Sequence, residues 1–254
     1  MSCAWGSPLA FLLAASVALA SINRTIPKKT IGEERLAHLR RLATLLRDYD
    51  RRLTPTSEVE RPTEVGCELF FRSLRPIGGE RATDYQADVY LMQHWEDPRL
   101  SIALDIGEDL EVNDPKLVQA MWKPEVYFPT ATAAEFQYVT VPNVMIRISP
   151  GGLISYILRL TLTLSCAAEP PNMHVCALEV ASFSRTTREV LLRWNTRDAV
   201  KLGGDLKIPQ FTVEGVETGH CEESPWGTTW FPMANHSCLA AKIRLRRVVT
   251  RADL

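Results

Sequence analysis

The sequence predicts an all-β sandwich preceded by one α-helix. Between residues 154 and 164 apolar and polar residues alternate, with Ile157 as the single exception, and this period of two is that of a strand with one buried face. The strand runs into Cys166, and a second strand begins beside Cys176. The spacing predicts a hairpin that a disulfide would close at its neck.

The predicted helix lies near the start of the chain. Residues 30–33 read T-I-G-E, which is typical of a capping box at a helix N-terminus. Leu36, Leu39, Ala43 and Leu46 follow at spacings of three and four, so we expect one amphipathic helix that ends before Pro55.

Short strand patterns, separated by glycine and proline, fill the rest of the chain. The predicted strands are 67–74, 84–95, 126–128, 138–148, 154–166, 175–183, 189–194, 211–216 and 240–249. One leading helix followed by many strands favours a β-sandwich.

Composition excludes several classes of partner. The chain has 254 residues and a net charge of −1, with acidic and basic residues mixed throughout. No basic patch indicates nucleic acid or an acidic membrane as a partner. The length is that of one large all-β domain.

Residues 1–20 have the pattern of a secretory signal peptide. An apolar run ends in Ala18-Leu19-Ala20, a small-x-small cleavage pattern. The alternative, a membrane anchor, needs a longer run, and no later stretch is apolar enough to span a membrane. We therefore expect the mature chain in the secretory pathway, where Asn23 and Asn235 begin glycan acceptor triplets.

Five cysteines remain after the leader, which allows two disulfides and leaves one free thiol in an oxidising compartment. Short separations favour Cys166–Cys176 and Cys221–Cys238, with Cys67 left over, although four cysteines permit three pairings. No C-x-x-C pair is present, so a zinc site, or any other metal, is not expected.

Several motifs occur in order between about residues 30 and 248. They are Y-D-R-R-L at 49–53, W-E-D-P-R-L at 95–100, W-K-P-E at 122–125, R-L-T-L-T-L-S-C at 159–166 and I-P-Q-F at 208–211. Together they resemble the extracellular ligand-binding domain of the Cys-loop receptors, the pentameric neurotransmitter-gated ion channels. The pair Cys221 and Cys238 is similar to an extra disulfide of the anion-conducting branch, which includes the glycine- and glutamate-gated chloride channels.

The resemblance implies an immunoglobulin-like, ten-stranded β-sandwich with an N-terminal helix, here residues 21–250 with a tail at 251–254. It also implies a ring of five subunits on the extracellular side of the plasma membrane. A small ligand would lie between subunits in a box of aromatic rings, and such a box suits a cation.

The residues at the family's ligand-contact positions are Tyr90, Tyr127, Phe128, Phe183, Trp226 and Trp230. For Tyr90, Tyr127 and Phe128 the alternative is packing on a strand face. The two tryptophans either fold over a ligand or pack on the neighbouring subunit. The motif residues Trp95, Trp122 and Pro124 are interpreted as structural.

Three departures from the family bear on function. The loop between Cys166 and Cys176 holds nine residues, which is shorter than the family's, and this puts its gating contact with the membrane domain in doubt. Met92 stands where an arginine would grip a ligand carboxylate, and Ile157 replaces a hydroxyl. Arg185 replaces a second aromatic residue, and it either opposes a cationic ligand or points to solvent.

Two functions follow from these observations. The chain is either the ectodomain of an anion-channel subunit, truncated because the family's four membrane helices do not follow the last strand, or a secreted ligand-binding protein like the soluble acetylcholine-binding proteins. An enzyme is not expected, because no Ser-His-Asp order, metal cluster or phosphate loop stands out. No cofactor is expected.

Overall fold

The computed structural model describes residues 30–78, 83–101, 108–170, 172–196, 198–204, 206, 208, 211–221 and 235–248. It confirms the predicted class, because two β-sheets form a sandwich behind one N-terminal helix. The described helices are α1 (Ile31–Leu45), a 3-10 turn (Ser57–Val59), α2 (Pro98–Ser101) and α3 (Pro115–Ala120). Among these helices, none has both the length and the apolar character needed to cross a bilayer.

Helix α1 begins at the predicted capping box. The amide of Glu33 donates to Oγ1 of Thr30 at 3.2 Å, and the amide of Thr30 donates to Oε2 of Glu33 at 2.9 Å. These two bonds satisfy backbone donors that the first helical turn leaves unpaired. Only Leu42 of α1 is fully buried, so the helix rests on the sandwich through a narrow stripe.

Eight strands form the larger sheet, here called sheet A. They are β1 (Thr63–Ile77), β2 (Asp84–Glu96), β3 (Leu110–Val112), β5 (Ala131–Phe136), β6 (Val144–Ile148), β7 (Leu153–Ser165), β10 (Val190–Trp194) and β11 (Val200–Leu202). The order across the sheet is β10-β1-β2-β7-β6-β3, with β11 beside β1 and β5 beside β7. Strands β10 and β11 pair with β1 in parallel, and the other pairs are antiparallel.

Five strands form the smaller sheet, here called sheet B. They are β4 (Val126–Tyr127), β8 (Ala167–Glu169), β9 (Met173–Ser182), β12 (Phe211–His220) and β13 (Cys238–Arg247). The order is β12-β13-β9-β4, with β8 beside β9. The implied ten strands therefore appear among thirteen described strands, of which β3, β4, β8 and β11 have only two or three residues.

The alternation in β7 is confirmed and supplies much of the core. All residues of the even parity are buried, namely Ile154, Tyr156, Leu158, Leu160, Leu162 and Leu164. They face the interior that sheets A and B share, together with the buried residues of β2 and β9. Burial of this apolar surface is the main stabilising contribution of the sandwich.

The predicted hairpin between the two cysteines is wrong in one respect. Strand β7 belongs to sheet A and β9 to sheet B, and the described strands that pair with β9 are β4, β8 and β13. The Cys166–Cys176 disulfide, with 4.2 Å between the Cα atoms, closes the neck of the hairpin at the residue between β7 and β8. The chain crosses between sheets at Cys166, and the hairpin is formed by β8 and β9.

The strand predicted at 138–148 is also corrected. Only Val144–Ile148 is extended, because Thr140 has a left-handed backbone with φ of 69° and Pro142 lacks an amide donor. The amide of Asn143 closes the loop by donating to the carbonyl of Gln137 at 3.0 Å. The strand Ala131–Phe136, which the residue pattern did not predict, pairs with β7 instead.

Both predicted disulfides are present, and Cys67 is free and buried. Burial raises the pKa of the Cys67 thiol to about 12, so the sulfur stays protonated and unreactive at neutral pH.

Candidate functional site

An aromatic pair forms where β4 and the end of β9 meet. The rings of Tyr127 and Phe183 lie edge to face, with centroids 5.5 Å apart and an interplanar angle of 78°. Tyr127 pairs with Ala181 across the two strands, and the amide of Phe183 donates to the carbonyl of Glu125 at 2.8 Å. The backbone therefore holds both rings together, in the geometry that aromatic pairs prefer.

Phe183 is 64% exposed, which is unusual for a phenylalanine held in an aromatic contact. Partial burial raises the pKa of Tyr127, and the nearby Glu179 carboxylate adds to the shift, so the phenol is neutral at physiological pH. Phe128 follows directly after β4 and is half-buried. The structure thus brings three predicted site residues, Tyr127, Phe128 and Phe183, into one region.

Arg185 neither opposes this pair nor lies free in solvent. Its Nη1 donates to Oε1 of Glu189 at 2.6 Å and its Nη2 to the carbonyl of Arg52 at 2.7 Å. The side chain is 31% exposed, and both contacts hold the guanidinium away from the role of a ligand-facing cation.

The loop between Cys221 and Cys238 begins and ends beside this region. The disulfide and a 3.3 Å bond from the Cys221 amide to the Cys238 carbonyl join its two ends. Trp226 and Trp230 lie outside the described residues, as do Asn23 and the predicted leader. Asn235, at the end of the loop, is exposed, and its glycosylation stays a prediction.

Tyr90 lies on a different surface, the outward face of sheet A. It shares that face of β2 with Asp88 and Met92, whereas Leu91 and Gln93 point into the core. The ring packs near Phe70 at 6.2 Å between centroids. Since Tyr127 belongs to sheet B, a single chain does not bring Tyr90 together with the Tyr127–Phe183 pair.

The Tyr90 surface also carries an ion pair that the residue pattern did not reveal. Arg159 lies opposite Tyr90 in the register of β2 and β7, with its guanidinium carbon 6.0 Å from the ring centroid. It binds Asp88 through two bonds, Nε to Oδ1 at 2.9 Å and Nη2 to Oδ2 at 2.5 Å. Hydrogen bonds from Arg159, and more weakly from Arg72, hold the pKa of Asp88 below its usual value despite partial burial.

Met92 and Ile157 are cross-strand partners on the same face. These are the positions where the resemblance implied an arginine and a hydroxyl for a ligand carboxylate. Instead, two apolar side chains lie directly opposite each other and next to the Tyr90–Arg159 pair. An apolar contact of this kind favours a hydrophobic group over a carboxylate.

The tryptophan motifs form a buried scaffold beneath β4, as interpreted from the sequence. Trp95 and Trp122 pack edge to face at 5.4 Å. The Asp97 carboxylate is fully buried and accepts from Arg99 and from the hydroxyl of Tyr49 at 2.7 Å. Because the amide of Trp122 donates to the same hydroxyl at 3.1 Å, this network sets the starting point of the segment that carries Tyr127.

The part of the chain that the structure describes contains one cluster of three potential metal ligands, Glu179 with Cys221 and Cys238. The two sulfurs are bonded to each other and are not thiolates, which are the form that binds metal. The cluster therefore does not indicate a metal site.

Asp88 and Phe70 are the residues of these surfaces that the sequence analysis missed. The alternation of strand faces could have identified Asp88, because it lies two positions before Tyr90 and so shares its strand face. Phe70 carried no comparable signal, since its place opposite Tyr90 depends on the register of β1 and β2.

Comparison with known families agrees with this architecture. Residues 38–249 match the family described as the neurotransmitter-gated ion-channel ligand binding domain. The match covers most of the chain, including both sheets, both disulfides and the aromatic pair. The chain belongs to the neurotransmitter-gated ion-channel ligand-binding domain family.

Proposed function

We propose that this domain captures a small organic cation between adjacent copies of the chain in a ring-shaped oligomer. The observation that carries the proposal is the edge-to-face pair of Tyr127 and Phe183, with Phe183 left 64% exposed. Exposed aromatic faces attract ammonium groups through the negative face of the ring. Family membership implies a small-molecule ligand and other subunits in an oligomer.

The separation of the two aromatic surfaces supports a site between chains. Tyr90 and Phe70 occupy the outward face of sheet A, and the Tyr127–Phe183 pair lies at the edge of sheet B. Each chain would therefore offer one half of a site on each of two surfaces, and two chains would complete it. This arrangement is a heterologous contact of the kind that closes into rings.

The chemistry of the Tyr90 surface supports a cation rather than an amino acid. Met92 and Ile157 replace the polar groups of a carboxylate clamp. The Arg159 guanidinium beside Tyr90 is already bound by Asp88 through two hydrogen bonds. A ligand carboxylate would have to displace Asp88 from Arg159, and this exchange is unfavourable because the ion pair is partly buried and held by two hydrogen bonds.

Choline and glycine are the probes that test this preference on the purified chain. We expect choline to raise the melting temperature and glycine to leave it unchanged. Phe183→Ala and Tyr90→Ala should each weaken choline binding at least tenfold, whereas Tyr138→Ala, an exposed aromatic outside both surfaces, should not. Unchanged choline affinity in both folded site variants would refute the proposal.

We further propose that the domain belongs to a subunit of an anion-conducting channel. The Cys221–Cys238 disulfide supports this assignment, since the resemblance links such a pair to the anion branch. The alternative is a secreted ligand-binding protein, which the nine-residue loop between Cys166 and Cys176 favours, because that loop is shorter than the one that contacts the pore in the family.

Transcripts that extend past the codon of Leu254 discriminate between the two functions. An open reading frame that encodes apolar membrane segments supports the channel subunit. The reversal potential of the ligand-gated current in cells that express this longer protein should then follow the chloride gradient. A stop codon after Leu254, together with recovery of the protein from culture medium, supports the secreted binder.

A further inference from the structure

A half-open cavity of about 560 Å³ lies between the inner face of sheet A and the segment 123–128. Leu158 and Leu160 of β7 line it, together with Phe136 of the neighbouring strand β5 and Phe128 of the segment 123–128. Volumes of this order, with mostly apolar walls, are typical of small-molecule sites. Tyr127 and Phe128 line the cavity as well as the aromatic region described above, so the cavity adjoins that region but does not include Phe183.

Gln93 points into this cavity from β2 and is 0% exposed. Neither its Oε1 nor its Nε2 has a nitrogen or oxygen hydrogen-bond partner among the residues that the structure describes. The thiol of Cys67, directly opposite on β1, interacts with the amide but is a weak donor and acceptor. A buried primary amide without a strong partner is rare and costly, so its place in the cavity wall needs an explanation.

Tyr156 offers a second polar group to the same cavity. Its side chain is 9% exposed and lines the cavity beside Leu158. Burial raises the pKa of the phenol to about 12, so the hydroxyl is a neutral donor at physiological pH. Burial accounts for this shift, to which no hydrogen bond contributes.

The charged residues of the lining are engaged or lie at its mouth. The Lys123 ammonium donates to the carbonyls of Val118 and Met121, and burial lowers its pKa to about 8. Glu125 and Glu135 are exposed, and Glu125 also accepts from Ser184. Gln93 and Tyr156 therefore contribute uncharged polar groups to the cavity, while the Lys123 ammonium is already held by two backbone carbonyls.

We propose that this cavity binds a mostly apolar, uncharged small molecule whose single amide or hydroxyl head pairs with Gln93 and Tyr156. Such a head both donates and accepts, which is what an unpaired primary amide requires. A hydrocarbon would fill the volume but leave Gln93 unpaired. The occupant would rest against the segment that carries Tyr127, within the chain rather than between chains.

Three probes of nearly the same shape test the head group: 4-phenylbutyramide, butylbenzene and the anion 4-phenylbutyrate. Calorimetric titration of the full chain should show that the amide binds at least tenfold more tightly than either of the others. Gln93→Leu should abolish this preference while raising the melting temperature by a few degrees, since it removes an unpaired amide without opening a cavity.

The matched control is Gln86→Leu, on the same strand but on its outward face, and it should leave the preference intact. Equal binding of amide and hydrocarbon, an undiminished preference in Gln93→Leu, or no binding of any probe would overturn the proposal. Phe183→Ala should leave binding of the amide unchanged, so failure of this site is distinguishable from failure of the site between chains.

Discussion

Two neighbouring regions of the molecule differ in how far their functional groups are buried. In the scaffold network, Asp97 is fully buried and bonded to Arg99 and Tyr49. A few residues beyond Trp122, the Tyr127–Phe183 pair leaves a phenylalanine ring largely exposed. The difference indicates that the first region stabilises the fold, whereas the second leaves an aromatic ring exposed, as the proposed binding role requires.

Within the scaffold network, Asp97→Ala should have the largest effect, because it leaves Arg99 without its carboxylate and Tyr49 without its acceptor. We expect the free energy of unfolding to fall by about 3 kcal/mol, measured by urea denaturation. The control is Asp109→Ala, whose carboxylate is exposed and lies 4.0 Å from Arg147, with an expected change of less than about 0.5 kcal/mol. Equal losses in the two variants would remove the distinction between scaffold and surface.

Gly152→Ala tests the turn that supports the same network. Gly152 has φ of +84°, and an added Cβ would lie 2.8 Å from the carbonyl oxygen of Asp97. We expect a loss of about 2 kcal/mol of unfolding free energy. Gly151→Ala, where a Cβ would meet nothing within 4 Å, should be nearly neutral, and a comparable loss there would contradict the steric explanation.

Asp88→Asn extends the comparison to the Tyr90 surface, where the carboxylate of Asp88 is partly buried. Removing the charge should lower the free energy of unfolding by about 1 kcal/mol at neutral pH. Arg159 depresses the folded-state pKa of Asp88 from its ordinary 3.8, so this stabilisation is present above pH 3.8 and is lost as the pH falls through the folded-state pKa.

Urea titrations of wild type and Asp88→Asn at several pH values should therefore converge as the solution is acidified. Glu64→Gln removes a carboxylate from an exposed ion pair with Arg193 and serves as the control, for which we expect no such difference at neutral pH. A constant gap between wild type and Asp88→Asn down to pH 2 would show that the ion pair is not its source.

Phe183→Ala should have the smallest effect on the fold, with a change in unfolding free energy below about 0.5 kcal/mol. The buried Phe71 provides the contrast, because Phe71→Ala opens a cavity in the core and should cost about 4 kcal/mol. A large loss of stability in Phe183→Ala would make the exposed ring a structural residue and weaken its assignment to binding.

The residue pattern predicted features that depend on nearby positions. The alternation in β7 specifies its buried face whatever the strand pairs with, and Thr30 and Glu33 form a capping box within one turn. Both disulfides followed from short separations along the chain. Tyr127 and Phe183, the two residues of the aromatic pair, were predicted from the resemblance rather than from periodicity.

Features that depend on which strands become neighbours could not be read from the pattern. The spacing of Cys166 and Cys176 predicts a closed hairpin, but only the assembled fold shows that its strands are β8 and β9 and that β7 lies in the other sheet. Strand β5 is rich in alanine, which has weak strand preference, and is held by β7. The Asp88–Arg159 pair and the cavity at Gln93 likewise arise from register and sheet packing.

Complementation between variant chains tests most directly whether one site is built from two subunits. Phe183→Ala chains keep an intact Tyr90 surface, and Tyr90→Ala chains keep an intact Phe183 surface, so each oligomer alone should bind choline at least tenfold more weakly than wild type. Co-assembly at equal amounts should restore about a quarter of the interfaces, and with them choline binding measured by calorimetry. A mixed oligomer that binds no more choline than the separate variants would contradict a site shared between chains.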